Sequence, residues 1–309
     1  MKKNKYIIQV YTAFVTSSHL YVKGRVLKDK SPISFVNQGP ISSLFNTILR
    51  MNSRELPNID IHCIFGDRTF EVVTDYEGYF EIFHNISEFS NLPNSIRIES
   101  IVKGEDIRFD QPLRMYLYDV PFGIISDIDD TILVSGVRSF FKLRLFFNTI
   151  FINPFRRKPI THAAEAYHHL LNRFEGESPI VYVSNSPWNI FDYLQAFLEH
   201  NVFPVGEVIL RDMGTQLLKS RDITEYNKYL EIEKVLIALD STKFTLIGDT
   251  GEKDFDIYLA IHSKYPERIS RIILHNAGNS KKIEEIKNYI LNSDDEFVTI
   301  VDDYKELII

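Results

Sequence analysis

Asp127 and Asp129 stand two residues apart at the exit of a short apolar run, Pro121-Phe122-Gly123-Ile124-Ile125-Ser126. Just past a buried strand, that spacing points both carboxylates to the same side of the backbone. Such a pair can hold one divalent cation, and one carboxylate can attack an electrophile while the other handles a proton. Taken alone, Asp127-Ile128-Asp129-Asp130-Thr131 also reads as a solvated acidic turn.

Two further apolar runs end in polar motifs. Ile180-Val181-Tyr182-Val183 leads into Ser184-Asn185-Ser186-Pro187-Trp188. Phe244-Thr245-Leu246-Ile247 leads into Gly248-Asp249-Thr250-Gly251-Glu252-Lys253-Asp254, with Asp249 and Asp254 five residues apart. Between these runs, Lys228 opens a segment in which Leu230, Ile232, Val235, Leu236 and Leu239 have the spacing of a helix with one buried side. Each motif thus sits at the exit of a strand or the start of a helix.

The elements that must position these residues follow from the pattern of residues 120–309. Strands are expected near 122–127, 180–184, 207–210, 244–248, 270–274 and 297–301, and helices at 161–174, 189–200, 228–239, 254–264 and 280–291. The alternation predicts an α/β, Rossmann-like parallel sheet covered on both faces. Ligands of such sheets sit at the carboxyl ends of the strands, where the motif residues fall.

The order Asp-x-Asp-x-Thr, Ser, Lys, then Gly-Asp with a second Asp resembles the four motifs of the haloacid dehalogenase superfamily. Three stretches are similar to one family within it, the catalytic domain of the actin-patch phosphatidate phosphatases and their bacterial relatives. They are Ser126 to Thr131 with Ser135-Gly136-Val137, Tyr182 to Trp188, and Ile247 to Asp254 with Ile257-Tyr258. Leu210-Arg211-Asp212 is a further mark of that family, and the likeness runs from about Pro121 to about Asn276. The resemblance implies a haloacid-dehalogenase-type fold and magnesium-dependent removal of phosphate from phosphatidate.

Carried onto these positions, the resemblance implies that Asp127 attacks phosphorus and becomes an aspartyl phosphate. Asp129 then protonates the leaving alkoxide and later activates water. That role calls for a raised pKa, which acidic neighbours would supply. Mg²⁺ is expected on Asp127, Asp129 (through its backbone carbonyl), Asp249 and Asp254. Asp254 either ligates, directly or through water, or orients Lys228. Thr131, Ser184, Asn185 and Lys228 are the expected phosphate-binding residues, with Lys228 offsetting charge as a catalytic cation. Lys219, Lys234 and Lys243 are nearby alternatives; Lys228, 21 residues before Asp249 and at a helix start, fits the family pattern. Asp130, turned away by the alternation, is read as structural. Trp188 either lines the site or shapes the turn.

Residues 1–119 read as an accessory domain of short strands with turn residues between them, a β-sandwich. Strands are expected over Tyr6 to Val15, Leu20 to Leu27, Ile59 to Phe65, Thr69 to Thr74, from Tyr79, over Ile96 to Val102 and over Leu113 to Tyr118, with a short helix at Ile41 to Leu49. Its strings Gly24-Arg25-Val26 and Asp75 to Phe80 resemble prealbumin-like accessory domains. It carries no chemistry of a site, and its partner is unknown. Asp75 and Glu77 read as turn acids rather than calcium ligands.

The 309 residues suffice for two cores, and a single cysteine, Cys63, makes the reducing cytoplasm the default. No run of eighteen apolar residues exists, so no membrane-spanning segment is expected. Residues 1–119 carry 14 basic and 14 acidic side chains, so the net charge of −7 lies wholly in residues 120–309, with 21 basic and 28 acidic. That balance argues against nucleic-acid binding. Against it stands one acid-free insertion, Arg138 to Lys158, with six cations and six phenylalanines. It lies where the superfamily places substrate-selecting caps, and it reads as the element facing a lipid surface, or else as a buried helix with basic ends. His162, Glu165, His168 and His169 could be taken for a metal site but read better as a solvated helix face.

The sequence therefore predicts a Mg²⁺-dependent phosphatase acting on phosphatidate or a related lipid phosphate, in the cytoplasm or peripherally at a membrane. Alternatives are a phosphatase for a soluble phosphomonoester, and a phospho-acceptor or adaptor protein without turnover.

Overall fold

The structure, a computed structural model, describes residues 6–28, 56–117, 120–134, 157–174, 178–211, 222–251, 253–293 and 297–308. The expected helix at Ile41 to Leu49 and the insertion at 138–158, apart from Arg157 and Lys158, lie outside the described residues. So does Lys219. The described residues form two compact units, one holding residues 6–28 and 56–117 together with Pro187–Asp192, the other holding the rest.

The first unit contains β1 (Tyr6–Thr16), β2 (His19–Lys28), β3 (Asp60–Phe65), β4 (Arg68–Val73), β5 (Tyr79–Asn85), β6 (Ser95–Val102), β7 (Glu105–Pro112) and β8 (Arg114–Tyr116). They make two four-stranded sheets, β5-β2-β1-β8 and β4-β3-β6-β7. Within these sheets β1 with β2, β2 with β5, β3 with β4, β3 with β6 and β6 with β7 pair antiparallel, and β1 with β8 parallel. Ile61, Cys63 and Phe65 alternate inward along β3, as a half-buried strand requires. They join Val15, Leu20, Val22, Ile82, Ile96 and Ile98 in one apolar cluster, so the two sheets share a core as a sandwich does. Burial pushes the Cys63 thiol up to about 12, which makes it a packing residue rather than a reactive thiol.

Strand β7 is absent from the sequence-based expectation. It is an edge strand with one fully buried side chain, Ile107, so it lacks the inward alternation that marks the others. Its signal is the two-residue turn Lys103-Gly104, both at positive φ (51° and 80°), which suits a tight hairpin into β6. Asp75 accepts from the backbone N–H of Glu77 and of Tyr79, both at 2.9 Å, so its carboxylate closes a turn. Trp188 is buried within this unit and stacks on Tyr11 at 4.4 Å.

The second unit is built on a six-stranded sheet. Its strands are β9 (Phe122–Ser126), β10 (Ile180–Pro187), β11 (Glu207–Arg211), β12 (Lys243–Asp249), β13 (Ile269–His275) and β14 (Val298–Val301). The order is β11-β10-β9-β12-β13-β14, and the pairs from β10 through β14 run parallel. Helices α1 (Ala163–Leu171), α2 (Phe191–His200), α3 (Asn227–Ala238), α4 (Asp254–Lys264) and α5 (Ser280–Asn292) alternate with the strands. Every residue of β9 is buried, and so is every residue of β12 after Lys243, which is why these strands read as continuous apolar runs. Tyr229, Ile232, Val235 and Leu236 form the buried face of α3, each such burial stabilising by roughly 1.5–3 kcal/mol. Among the described residues no helix is long and apolar enough to cross a membrane.

Candidate active site

The central strands β9 and β12 are neighbours and both end in carboxylates. Asp127 follows β9 directly, and its backbone N–H donates to the Ile247 carbonyl of β12 at 2.8 Å. Asp249 is the last residue of β12 and Asp254 the first of α4. All three are buried, and one oxygen from each lies within 4.8 Å of the others.

Lys228, the second residue of α3, enters this group with only 1 % of its side chain exposed. Its Nζ donates to Asp127 Oδ1 at 2.8 Å and to Asp254 Oδ1 at 2.5 Å. The alternatives lie elsewhere: Lys234 reaches Glu231 at 3.3 Å, and Lys243 is exposed at the start of β12. Asp254 therefore orients Lys228 with one oxygen. With Oδ2 it accepts from the Asp249 backbone N–H at 3.2 Å.

The electrostatics of this cluster call for a cation. Three carboxylates and one ammonium leave a formal charge of −2 in a buried site. At an effective dielectric of ~20, each carboxylate pair at this spacing repels by at least 3 kcal/mol and each short Lys228 bond returns about 6. Attraction and repulsion nearly cancel, so the desolvation of four buried ions, several kcal/mol each, remains uncompensated. Accordingly burial pushes the Asp127 carboxyl well above the usual carboxylate range, with Asp254, Asp129 and Asp249 adding to the rise and Lys228 opposing it. A hard divalent cation among three carboxylate oxygens fits this donor set.

Asp129 is half-buried and its carboxylate goes elsewhere. Its Oδ2 accepts from Ser184 Oγ at 3.0 Å and Ser186 Oγ at 2.8 Å, and Ser184 Oγ in turn accepts from the Ser186 N–H. Its pKa is raised chiefly by burial, with both serines lowering it; Asp130 adds a small rise, so the acidic neighbours expected from the sequence are a minor cause. Ser186 is absent from the expected site, although period-two alternation puts it on the same side of β10 as Ser184. The same alternation turns Asn185 to the other side, away from this pair. Thr131 is buried and donates to Asp127 Oδ2 at 3.1 Å.

Two backbone devices shape the site. Asp130 adopts φ 54°, a left-handed conformation that Asp tolerates, and turns the chain out of β9 behind Asp129. Gly248 leaves room for α4: a Cβ there would meet the Asp254 carboxylate and, at 2.8 Å, the Tyr258 ring. Gly248→Ala is therefore expected to displace Asp254, destabilise by about 1–3 kcal/mol and lower turnover. Thermal melts with kcat measurements check this; unchanged values would show that the close approach is dispensable.

The histidine-rich helix does not gather a metal site. His162 Nδ1 pairs with Asp303 Oδ1 at 2.7 Å, whereas His168 Nε2 donates to the Val202 carbonyl at 2.9 Å.

Comparison with known proteins adds a family. The model of the catalytic domain of the phosphatidate phosphatase APP1 matches residues 122–276, half of the chain. The chain belongs to this family. Asp127, Asp129, Thr131, Ser184, Ser186, Lys228, Asp249 and Asp254 all lie inside the matched region. An uncharacterized protein of Schizosaccharomyces pombe is 28 % identical over 214 residues, 67 % of this chain and 34 % of that protein. The phosphatidate phosphatase APP1 of Saccharomyces cerevisiae is 29 % identical over 183 residues, 57 % of this chain and 30 % of that protein. The matched part is thus about a third of these relatives' length. A carbohydrate acetylesterase from Xanthomonas citri aligns over 88 % of this chain and 68 % of its own, at 9 % identity and a TM-score of 0.28, too low to bear on fold or function.

Proposed function

We propose that this chain is a Mg²⁺-dependent phosphatase with a haloacid-dehalogenase-type catalytic domain, hydrolysing phosphatidate or a related lipid phosphate through a phosphoryl group on Asp127. The observation that carries the reading is the buried Lys228, bridging Asp127 and Asp254 beside Asp249 at the ends of β9 and β12. The lipid substrate, the lipid surface and the cytoplasmic setting rest on family membership and composition.

Asp127, Asp249 and Asp254 would hold the metal, which supplies positive charge against the phosphoryl oxygens. Asp127 attacks phosphorus, and the bond from phosphorus to the leaving oxygen breaks. Asp129 gives its proton to that oxygen; its raised pKa keeps the carboxyl protonated until the leaving oxygen develops charge. Asp129, now ionised, takes a proton from water as the water oxygen attacks phosphorus. The bond to Asp127 then breaks and releases phosphate. Lys228 holds Asp127 and offsets charge on the phosphoryl group. Ser184 and Ser186 orient Asp129 and, as donors to its ionised form, hold its pKa down against burial.

The serines give a signed prediction. Ser184→Ala combined with Ser186→Ala removes two donors to the carboxylate, so the Asp129 pKa rises further. Water activation needs the ionised form, so the acid limb of the kcat–pH profile moves to higher pH. An unmoved limb, or one at lower pH, contradicts the role of Asp129.

A substrate panel tests the function. With Mg²⁺, phosphatidate in mixed micelles is expected to be hydrolysed at least tenfold faster than soluble phosphomonoesters at matched concentration, and chelation abolishes both. Faster cleavage of a soluble monoester would overturn the lipid assignment and leave the chemistry standing.

A further inference from the structure

We infer that His275 is a positioning residue that locks the nucleophile loop to the metal-binding strand end. The inference rests on the site proposed above but concerns a residue outside its motifs.

His275 is the last residue of β13, on the opposite side of β12 from β9. Its Cα partner in the sheet is Asp249. Its ring nevertheless reaches the loop after β9, where Nδ1 lies 2.9 Å from the Asp130 carbonyl oxygen. A carbonyl can only accept, so Nδ1 carries the proton and donates. The His275 backbone carbonyl meanwhile accepts from the Thr250 N–H at 3.0 Å. One residue therefore ties three strand ends: β9 through Asp130, β12 through Thr250, and β13 through itself.

The position of the first tie explains its use. Asp130 is the residue at φ 54° that turns the chain directly after Asp129. Its carbonyl orientation is linked to that unusual backbone conformation, and through it to the placement of Asp127 and Asp129. Fixing that carbonyl from β13 spans the end of β12, so Asp249 is held in register with Asp127. The ring itself is fixed by stacking on Tyr304, with centroids 5.5 Å apart and planes 10° from parallel. Tyr304 is fully buried and packs against Tyr167, whose hydroxyl bonds Ser126 Oγ at 2.8 Å. Ser126 Oγ in turn donates to the Asp127 carbonyl at 2.6 Å. The support thus reaches the nucleophile from two directions.

Side-chain geometry supplies the test. The amide of Asn places an N–H near the position of imidazole Nδ1, whereas Gln places it near Nε2. His275→Asn is expected to keep kcat within about threefold of wild type. His275→Ala and His275→Gln are expected to lose about 10–100-fold in kcat and to need about tenfold more Mg²⁺, as loss of an outer-shell support does. A second readout does not involve turnover: the rise in melting temperature on adding Mg²⁺ to the substrate-free protein. That rise should persist in His275→Asn and shrink in His275→Ala and His275→Gln. Rescue by Asn but not by Gln separates a directed hydrogen bond from simple filling of space. If His275→Ala keeps the wild-type Mg²⁺ response and rate, or if His275→Asn is as impaired as His275→Ala, the inference is wrong while the metal site stands. If the wild-type protein itself shows no Mg²⁺-dependent rise, the metal reading and this inference fail together.

Discussion

Asp127→Asn is expected to lower the turnover of a lipid phosphate by on the order of 10⁴-fold, ~5.5 kcal/mol of transition-state stabilisation. Asparagine keeps the shape of the side chain but removes the attacking charge and one of the three clustered carboxylates. The fold should not suffer. The folded pKa of Asp127 is raised, so above the ordinary carboxylate range the native state holds more protons than the unfolded chain, and stability falls as pH rises through that window. A neutral side chain escapes that loss, and Lys228 retains Asp254 as a partner. Without divalent cation the variant should therefore melt no lower than wild type at neutral pH, while responding less to added Mg²⁺. A tenth of the wild-type rate surviving in Asp127→Asn would remove this residue from the chemistry.

Lys228→Ala should be the second most damaging change, and it should damage fold and rate together. Its ammonium is buried against two carboxylates, and removing one member of such a group costs about 3–5 kcal/mol because the remaining charges are left uncompensated. Turnover of the folded fraction should drop by about 10³-fold, the scale seen when a preorganised electrostatic partner is lost. Lys234→Ala is the control. That lysine pairs with Glu231 at 3.3 Å rather than with Asp127, and its loss should leave the turnover of the folded fraction largely unchanged. Comparable losses of turnover in the two variants would show that the charge beside Asp127 is not a catalytic one.

The parallel sheet was legible because its central strands are buried on both faces. Runs such as Ile180-Val181-Tyr182-Val183 and Phe244-Thr245-Leu246-Ile247 carry an apolar signal that needs no knowledge of neighbours. The edge strand β7 was not, since Glu105–Pro112 buries a single side chain fully and owes its place to pairing with β6. Asp127 and Asp249 were readable for the same reason as the strands: each stands where an apolar run ends. Lys228 was harder. A lysine at a helix start is ordinarily solvated, and only the family spacing chose it; the bond to Asp127 spans 101 residues. Ser186 could have been found by alternation from Ser184. His275 carries no local signal, because its function depends on the register of β13 against β12 and on a loop 145 residues away. The cause of the raised Asp129 pKa was likewise hidden, since burial is a property of the packed molecule rather than of neighbouring residues in the chain.

Trapping the covalent intermediate tests the central claim most directly. An aspartyl phosphate is an activated acyl group, and borohydride reduces it to homoserine. The protein would be quenched with borohydride during steady hydrolysis of phosphatidate with Mg²⁺, then digested and analysed by mass spectrometry. Homoserine at position 127, dependent on substrate and absent from Asp249 and Asp254, is the predicted result. Reduction at another carboxylate, or none at position 127 while phosphate is being released, would contradict the account.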